Sequence, residues 1–414
     1  MVVAREVEHK GMESSVARAG GIGHLGRRGP HSALPSDIRK SNRAAVLKAL
    51  YPDQWRSRAD LAKITGLSKV SVSDVVGELI EAGLLVEGGY KSSSRPGKPA
   101  VLVGINAGGR GLVAVDLSEA GRVSAILADL TGKILESSQI DVSSAQRGRG
   151  HVGDRMVSDS SSSSDTSSLP LEPVIRLCRT LIGKSSVPML GVGVATPGTV
   201  SDSGEVLAAP NLGWTNLKLA DELRQALDLP VFVSNDADSA VFGERCFGAG
   251  PANMILVQLA RGVGAGVLID DHIVRGTSCV AGEIGHVVID ENGMACACGK
   301  RGCLETMTSI PFLRQRLADA EGQADRDDVL AQAGEVLGAA LSMPVAMTNI
   351  TDIAISGPEP IVGKMLLESV ENTINDRVHS RFIDAVIVHA TRLGTNAALL
   401  GGVACVLRHE LGVL

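Results

Sequence analysis

Between residues 37 and 103 the apolar positions fall first into helical rows and then into short extended runs. Ile38, Ala45, Val46, Leu47 and Leu50 can share one broad helical face, with Pro52 just beyond its end. A second helix, Arg58 to Thr65, stops at Gly66. A third follows Ser68, a suitable N-cap, and repeats Val72, Val75, Val76, Leu79 and Ile80 at helical spacing. Two short helices joined through a glycine turn describe a helix-turn-helix. Gly83 to Glu87 then leads into a strand, and Pro99 to Val103 supplies a returning one. The tip between them carries Lys91, Arg95 and Lys98 among serines, Pro96 and Gly97. That composition suits a wing that touches phosphates or enters a minor groove. Residues 1–35 have no sustained apolar period and are expected to form a mobile tail.

Beyond Gly104 the pattern becomes that of an α/β protein. Apolar strand candidates lie at Gly111 to Val115, Arg122 to Leu127, Met189 to Ala195, Val231 to Ser234 and Met254 to Leu259, and helical stretches alternate with them. About 300 residues of this kind imply two lobes with a ligand cleft between them. The stretch 141–168 interrupts the order. Its serine run, Ser160 to Ser164 between Asp159 and Asp165, is expected to be a disordered surface insertion. The chain thus divides into a tail (1–35), a mostly helical winged head (36–104) and an α/β body (110–414).

Charge separates head from body. Overall the chain carries a formal net charge of −6, yet residues 1–100 hold 16 Lys and Arg against 10 Asp and Glu. A basic head facing an anion fits double-stranded DNA, where the start of the second motif helix enters the major groove. Ser68, Lys69, Ser71 and Ser73 occupy that start, with Arg58 opening the helix before it and Lys91, Arg95 and Lys98 in the wing. The competing reading is a helical protein-interaction module with a solvated hairpin. No apolar run is long enough to span a bilayer, and the first 30 residues lack the apolar centre of a secretory signal, so a cytoplasmic location is expected.

Three of the seven cysteines crowd into Cys296-Ala-Cys298-Gly-Lys-Arg-Gly-Cys303, with His286 ten residues upstream. Thiolates plus an imidazole are the ligand set of a closed structural zinc site, and glycines let a short loop wrap one ion. Buried or disulfide-bonded cysteines are the alternative, although neighbours as near as Cys296 and Cys298 rarely meet disulfide geometry. In the body, Val231 to Asp238 is an apolar strand that delivers Asn235 and Asp236 at its C-terminal end, where open α/β sheets place ligands. Asp236 could act as a general base on a hydroxyl; an Asn-Asp pair can equally be a helix cap. Glu283 beside the proposed ligand His286, and Glu305 just after the cysteines, form a polar wall suited to a polyhydroxylated ring, or simply support the metal.

Gly282-Glu-Ile-Gly-His286 followed by Cys296 to Glu305 resembles the signature of the ROK family of repressors and sugar kinases. The resemblance covers nearly all of residues 37 to 412 and is nearest to the family's winged-helix repressors. It implies an actin-like, hexokinase-like body of two α/β lobes, with sugar contacts carried over onto Asn211, Asn235, Asp236, Glu283, His286 and Glu305. In the family's kinases the residue matching Asp236 is the base that activates the sugar. The first phosphate loop departs from the kinase pattern: Asp-x-Gly-Gly-Thr is replaced by Asp116-Leu-Ser-Glu-Ala-Gly121, and Arg261-Gly262 stands where Gly-Thr is usual. Side chains at Ser118 and Glu119 would keep backbone amides from cradling ATP. The expectation is a zinc-bearing repressor that binds operator DNA and a sugar or sugar-phosphate effector as a homodimer or homotetramer. An ATP-dependent sugar kinase retaining a DNA-binding arm is the principal rival; a zinc-stabilised interaction module without either activity is a third reading.

Overall fold

The structure is a computed structural model, described here over residues 35–90, 100–119, 121–142 and 168–414. The expected tail, the wing tip with Lys91, Arg95 and Lys98, and the serine-rich insertion lie outside the described residues except at their edges.

The head consists of α1 (Pro35–Leu50), β1 (Arg56–Ser57), α2 (Arg58–Thr65), α3 (Lys69–Glu81), β2 (Leu85–Tyr90) and β3 (Val101–Ile105). The strands form an antiparallel sheet in the order β1-β3-β2. Ser57 Oγ accepts the Asp60 amide at the start of α2, and Ser68 Oγ accepts the Ser71 amide at the start of α3; each hydroxyl satisfies a donor the helix leaves orphaned. Val46, Leu47, Leu50, Leu61, Val72, Val75, Val76 and Leu79 are all buried in one cluster. Ile38, expected on the same face of α1, is half exposed. It lies about 80° around the helix from Val46 and about 180° from Leu47, outside the arc that Val46, Leu47 and Leu50 bury.

The body repeats one sheet design twice. Its first sheet takes β4 (Gly111–Asp116), β5 (Arg122–Ala128), β6 (Ile134–Asp141), β7 (Met189–Thr196) and β11 (Val231–Asn235) in the order β11-β7-β4-β5-β6. Helix α4 (Leu171–Lys184) leads to β7. A small sheet of β8 (Thr199–Val200), β9 (Val206–Ala209) and β10 (Trp214–Leu217), then α5 (Leu219–Leu227), precede β11. After α6 (Asp236–Phe247) the second sheet takes β12 (Met254–Leu259), β13 (Val263–Ile269), β14 (His272–Ile273), β15 (Asp352–Ser356) and β16 (Ile387–Ala390) in the order β14-β13-β12-β15-β16. Each sheet is three antiparallel strands extended by two parallel ones. All five strand segments expected from the sequence are present.

The remaining helices are α7 (Glu305–Thr308), α8 (Ile310–Asp319), α9 (Gln323–Thr348), α10 (Lys364–Val378) and α11 (Ala397–Leu411). Helix α9 is long and apolar enough to cross a membrane by composition, but Val329, Leu330, Ala333, Leu337, Leu341 and Val345 bury one side of it in the core of the second lobe.

Helices α6 and α11 meet backbone to backbone. A Cβ at Gly401 would fall 1.7 Å from the Ser239 carbonyl oxygen, and one at Gly243 would fall 2.3 Å from that of Ala397. The other side of α11 supplies Leu399, Leu400, Val403, Val406, Leu407 and Leu411 to the cluster that contains Val46, Leu47 and Leu50 of α1. Head and body therefore share one core across α11. Gly401→Ala is expected to destabilise the fold by about 3 kcal/mol or more. Gly77→Ala, whose added methyl meets nothing within 4 Å, should instead stabilise it by about 0.5–1 kcal/mol. Urea unfolding of both variants measures the contrast, and a neutral Gly401→Ala would contradict the contact.

Candidate ligand cleft, metal group and DNA-facing helix

Between the lobes lies a cavity of 410 Å³ whose lining includes Asn211, Asn235, Asp236, Glu283, His286 and Glu305. Every ligand residue expected from the sequence thus reaches one space, although they come from 95 positions of chain. Asn211 stands in the turn Pro210–Leu212, Asn235 ends β11, Asp236 opens α6, Glu283 precedes and His286 ends the turn Ile284–His286, and Glu305 opens α7.

Asn235 serves first as a helix cap. Its Oδ1 accepts the amides of Ala237 (2.9 Å) and Asp238 (3.1 Å), while its Nδ2 donates to the Gly198 carbonyl at 2.9 Å. That double anchorage fixes the mouth of the β7–β8 loop and the start of α6 together. Glu305 Oε2 accepts the Val263 amide at 3.3 Å, tying α7 to the start of β13.

The floor of the cleft is crowded with acid. Burial, and then the neighbouring carboxylate of Asp116, push the Asp236 carboxyl up to about 7. Asp116 is itself raised, chiefly by burial, while the Ser118 amide that it accepts at 2.9 Å works in the opposite direction. Glu283 is raised chiefly by burial too. Desolvation disfavours each anion, and their proximity adds like-charge repulsion. Two groups were not singled out from the sequence. In the sequence Asp116 stands out only as the first residue of an altered loop, yet it sits close enough to perturb Asp236. Gln258, at the C-terminal end of β12, lines the cavity; its Nε2 lies 3.5 Å from Asp236 Oδ2, and its Oε1 is buried without a partner among the described residues. The available signal was its place at a strand end, where such sheets hold ligands.

His286, Cys296, Cys298 and Cys303 form a possible metal-binding group. Their donor atoms all lie within 4.8 Å of one another. Cys296 Sγ is 3.6 Å from His286 Nδ1, and Cys298 Sγ is 3.6 Å from Cys303 Sγ. Tetrahedral metal–sulfur bonds of about 2.3 Å place ligand sulfurs about 3.8 Å apart, so the spacing suits a four-coordinate ion. All seven cysteines are free in the structure. The loop closes at Gly302, in left-handed conformation with φ of 64°, where a Cβ would fall 1.5 Å from the Asp290 carbonyl oxygen. Cys298 and His286 also line the cleft, so the metal group and the ligand wall are one construction.

On the head, Ser68, Lys69 and Ser73 are exposed and Ser71 is half-buried. Ser68 and Ser71 are engaged with each other, their hydroxyls 2.9 Å apart. Arg58 forms an ion pair with Glu87 of β2 at 2.8 Å, which directs it toward the wing strand.

Residues 180–409 match the family described as ROK. The chain belongs to the ROK family. It is 29% identical to the xylose repressor of Bacillus subtilis (strain 168) over 395 residues, spanning 91% of this chain and 97% of that protein. It is 32% identical to a glucokinase of Halalkalibacterium halodurans over 252 residues, but that match covers only 53% of this chain and 76% of the kinase. A solved ROK family transcriptional regulator, a homologue of the Escherichia coli MLC protein, superposes with a TM-score of 0.73 at 26% identity, covering 91% of this chain and 98% of that one. The mixed α/β, two-lobe body and the N-terminal helical region are those of a ROK regulator.

The raised carboxyl of the partly buried Asp236 has a measurable consequence. Because its native value lies above the ordinary 3.8, the folded state holds a proton that the unfolded state releases. Its contribution to stability is complete below about pH 4 and is lost as pH rises through 7. Asp236→Asn should therefore gain stability over the parent progressively from pH 4 to pH 7, and the gain should level off above that. Thermal melts across this range test the point; a gap independent of pH would contradict it.

Proposed function

We propose that this ROK-family chain is a sugar-responsive transcriptional repressor in which the cleft binds an unphosphorylated sugar and the winged head binds operator DNA. One observation carries the reading: the repressor relatives align through head and body alike, whereas the kinase relative aligns with about half the chain. The head in turn shares its core with α11.

Asp236 Oδ2 and the unpartnered Oε1 of Gln258 are acceptors for sugar hydroxyls, and Asn211, Glu283 and Glu305 lie around the same space. Three carboxylates face the cavity against the single guanidinium of Arg261, a balance that favours an uncharged ring over its phosphate ester. The first loop is poorly suited to ATP. The Ser118 amide is turned onto Asp116, the Leu117 amide donates to the Ala195 carbonyl, and Glu119 projects its carboxylate to Arg122. Phosphoryl transfer depends on amides and positive charge at that place. Asp236 is then a retained acceptor rather than a working base.

Helix α6 offers the route from sugar to head. It begins at Asn235 and Asp236 in the cleft, and its 12 residues span about 18 Å. At its far end Cys246 lies near the buried hydroxyl of Tyr51, the residue that follows α1, where burial, Cys246 and Asp129 all oppose ionisation of the phenol. A sugar that closes the lobes moves α6, and with it α11 and α1. The effect on DNA follows only if the sugar prefers one of the two arrangements. Two copies, as a homodimer or dimer of dimers, would present paired heads to an inverted repeat in the cytoplasm.

Gel-shift titration of a duplex selected from random sequence, with free pentoses, hexoses and their phosphates as effectors, tests the reading. A free sugar should shift operator affinity by tenfold or more, its phosphate should act weakly, and Asp236→Asn should abolish the response while leaving DNA binding intact. Sugar-dependent ADP release that disappears in Asp236→Asn would favour the kinase reading instead.

Zinc is the ion proposed for the His286–Cys296–Cys298–Cys303 group, as a closed structural site that holds His286 and Glu283 in the cleft wall. Elemental analysis of freshly purified protein should find one zinc per chain. Cys303→Ser should lose it together with sugar-induced thermal stabilisation; metal-free protein with full sugar response would contradict the assignment.

A further inference from the structure

The first two turns of α3 leave few side chains free to read DNA. Ser68 and Ser71 are engaged with each other and with the helix cap. Val72, Val75, Val76 and Leu79 are buried in the head. What remains exposed is Lys69, Val70, Ser73 and Asp74. Among these Val70 is the apolar one, and it is 71% exposed.

Packing gives no reason for that residue type. A β-branched residue is a weaker helix former than alanine, and its apolar surface gains nothing by facing water. Its position supplies one. Val70 is the second residue of the helix, next to Lys69, in the first turn, which a helix-turn-helix directs at the base edges of the major groove. An isopropyl group makes no hydrogen bond; the single major-groove feature it can recognise is the 5-methyl group of thymine. In a helix valine keeps essentially one side-chain rotamer, so its methyls are presented rigidly and little freedom is lost on contact. We propose that Val70 is a specificity-determining residue that packs on the 5-methyl group of one thymine in each operator half-site. The inference rests on the repressor reading above and adds what that reading lacks, a base contact for the recognition helix.

The test uses the full chain and the duplex it selects from random sequence. Replacing thymine by deoxyuridine, one position at a time, removes only the methyl group. One thymine per half-site should prove sensitive, with binding weakened about three- to tenfold. Val70→Ala should weaken binding to the thymine duplex by a similar factor and then be indifferent to deoxyuridine at that position, so the two changes do not add. The substitution lies on an exposed helical site and should leave the thermal midpoint unchanged or raised. A thymine effect that persists undiminished in Val70→Ala, or the absence of any methyl-sensitive thymine, overturns this inference while leaving the repressor reading intact. Failure to select any sequence overturns both.

Discussion

The contact on which the rest depends is the one between α6 and α11, where glycines let two helix backbones touch. Gly401 lies against the Ser239 carbonyl and Gly243 against that of Ala397, at distances no side chain could enter. Helices separated by ordinary side chains sit 8–10 Å apart and can slide over soft contacts. A seam of bare backbone has no such give. It seats α6 directly against α11, and it puts this pair of helices between the polar cleft and the core of the head.

That layer has a distinct job at each end. At the cleft, Asn235 caps α6 and simultaneously holds the Gly198 carbonyl, so the helix start and the loop after β7 report on one another. The acid groups around Asp236 are expensive to ionise there, and a ring of hydroxyls that donates to them offsets part of that cost. At the other end the apolar side of α11 merges with the core of the head. On the proposed function, a ligand in the cleft would act through differential contacts on this shared scaffold, with no need for a flexible linker.

On the proposed repressor reading, the raised carboxyl of Asp236 serves binding and need not serve as a base. The features that make Asp236 a good base, burial and a nearby Asp116, also make it a strong acceptor once a hydroxyl is present. What differs lies in the loop after β4, where the Ser118 amide is spent on Asp116 and a carboxylate stands at Glu119.

Local chemistry made much of this legible in the sequence. The cap Ser68, the stop at Gly66, the apolar row of α3 and the strands of the body all depend on near neighbours, and they recur in the structure at the expected places. The metal group was legible for the same reason, since three of its four donors fall in one short loop and the fourth stands ten residues away. Only the tertiary structure could decide that Gln258 stands beside Asp236, that Asp116 shares its field, that Arg58 is paired with Glu87, and that the head has no core separate from α11. Those facts depend on contacts between residues far apart along the chain. Periodicity and spacing describe what a segment prefers, and they carry no information about which distant backbone a glycine will let come near.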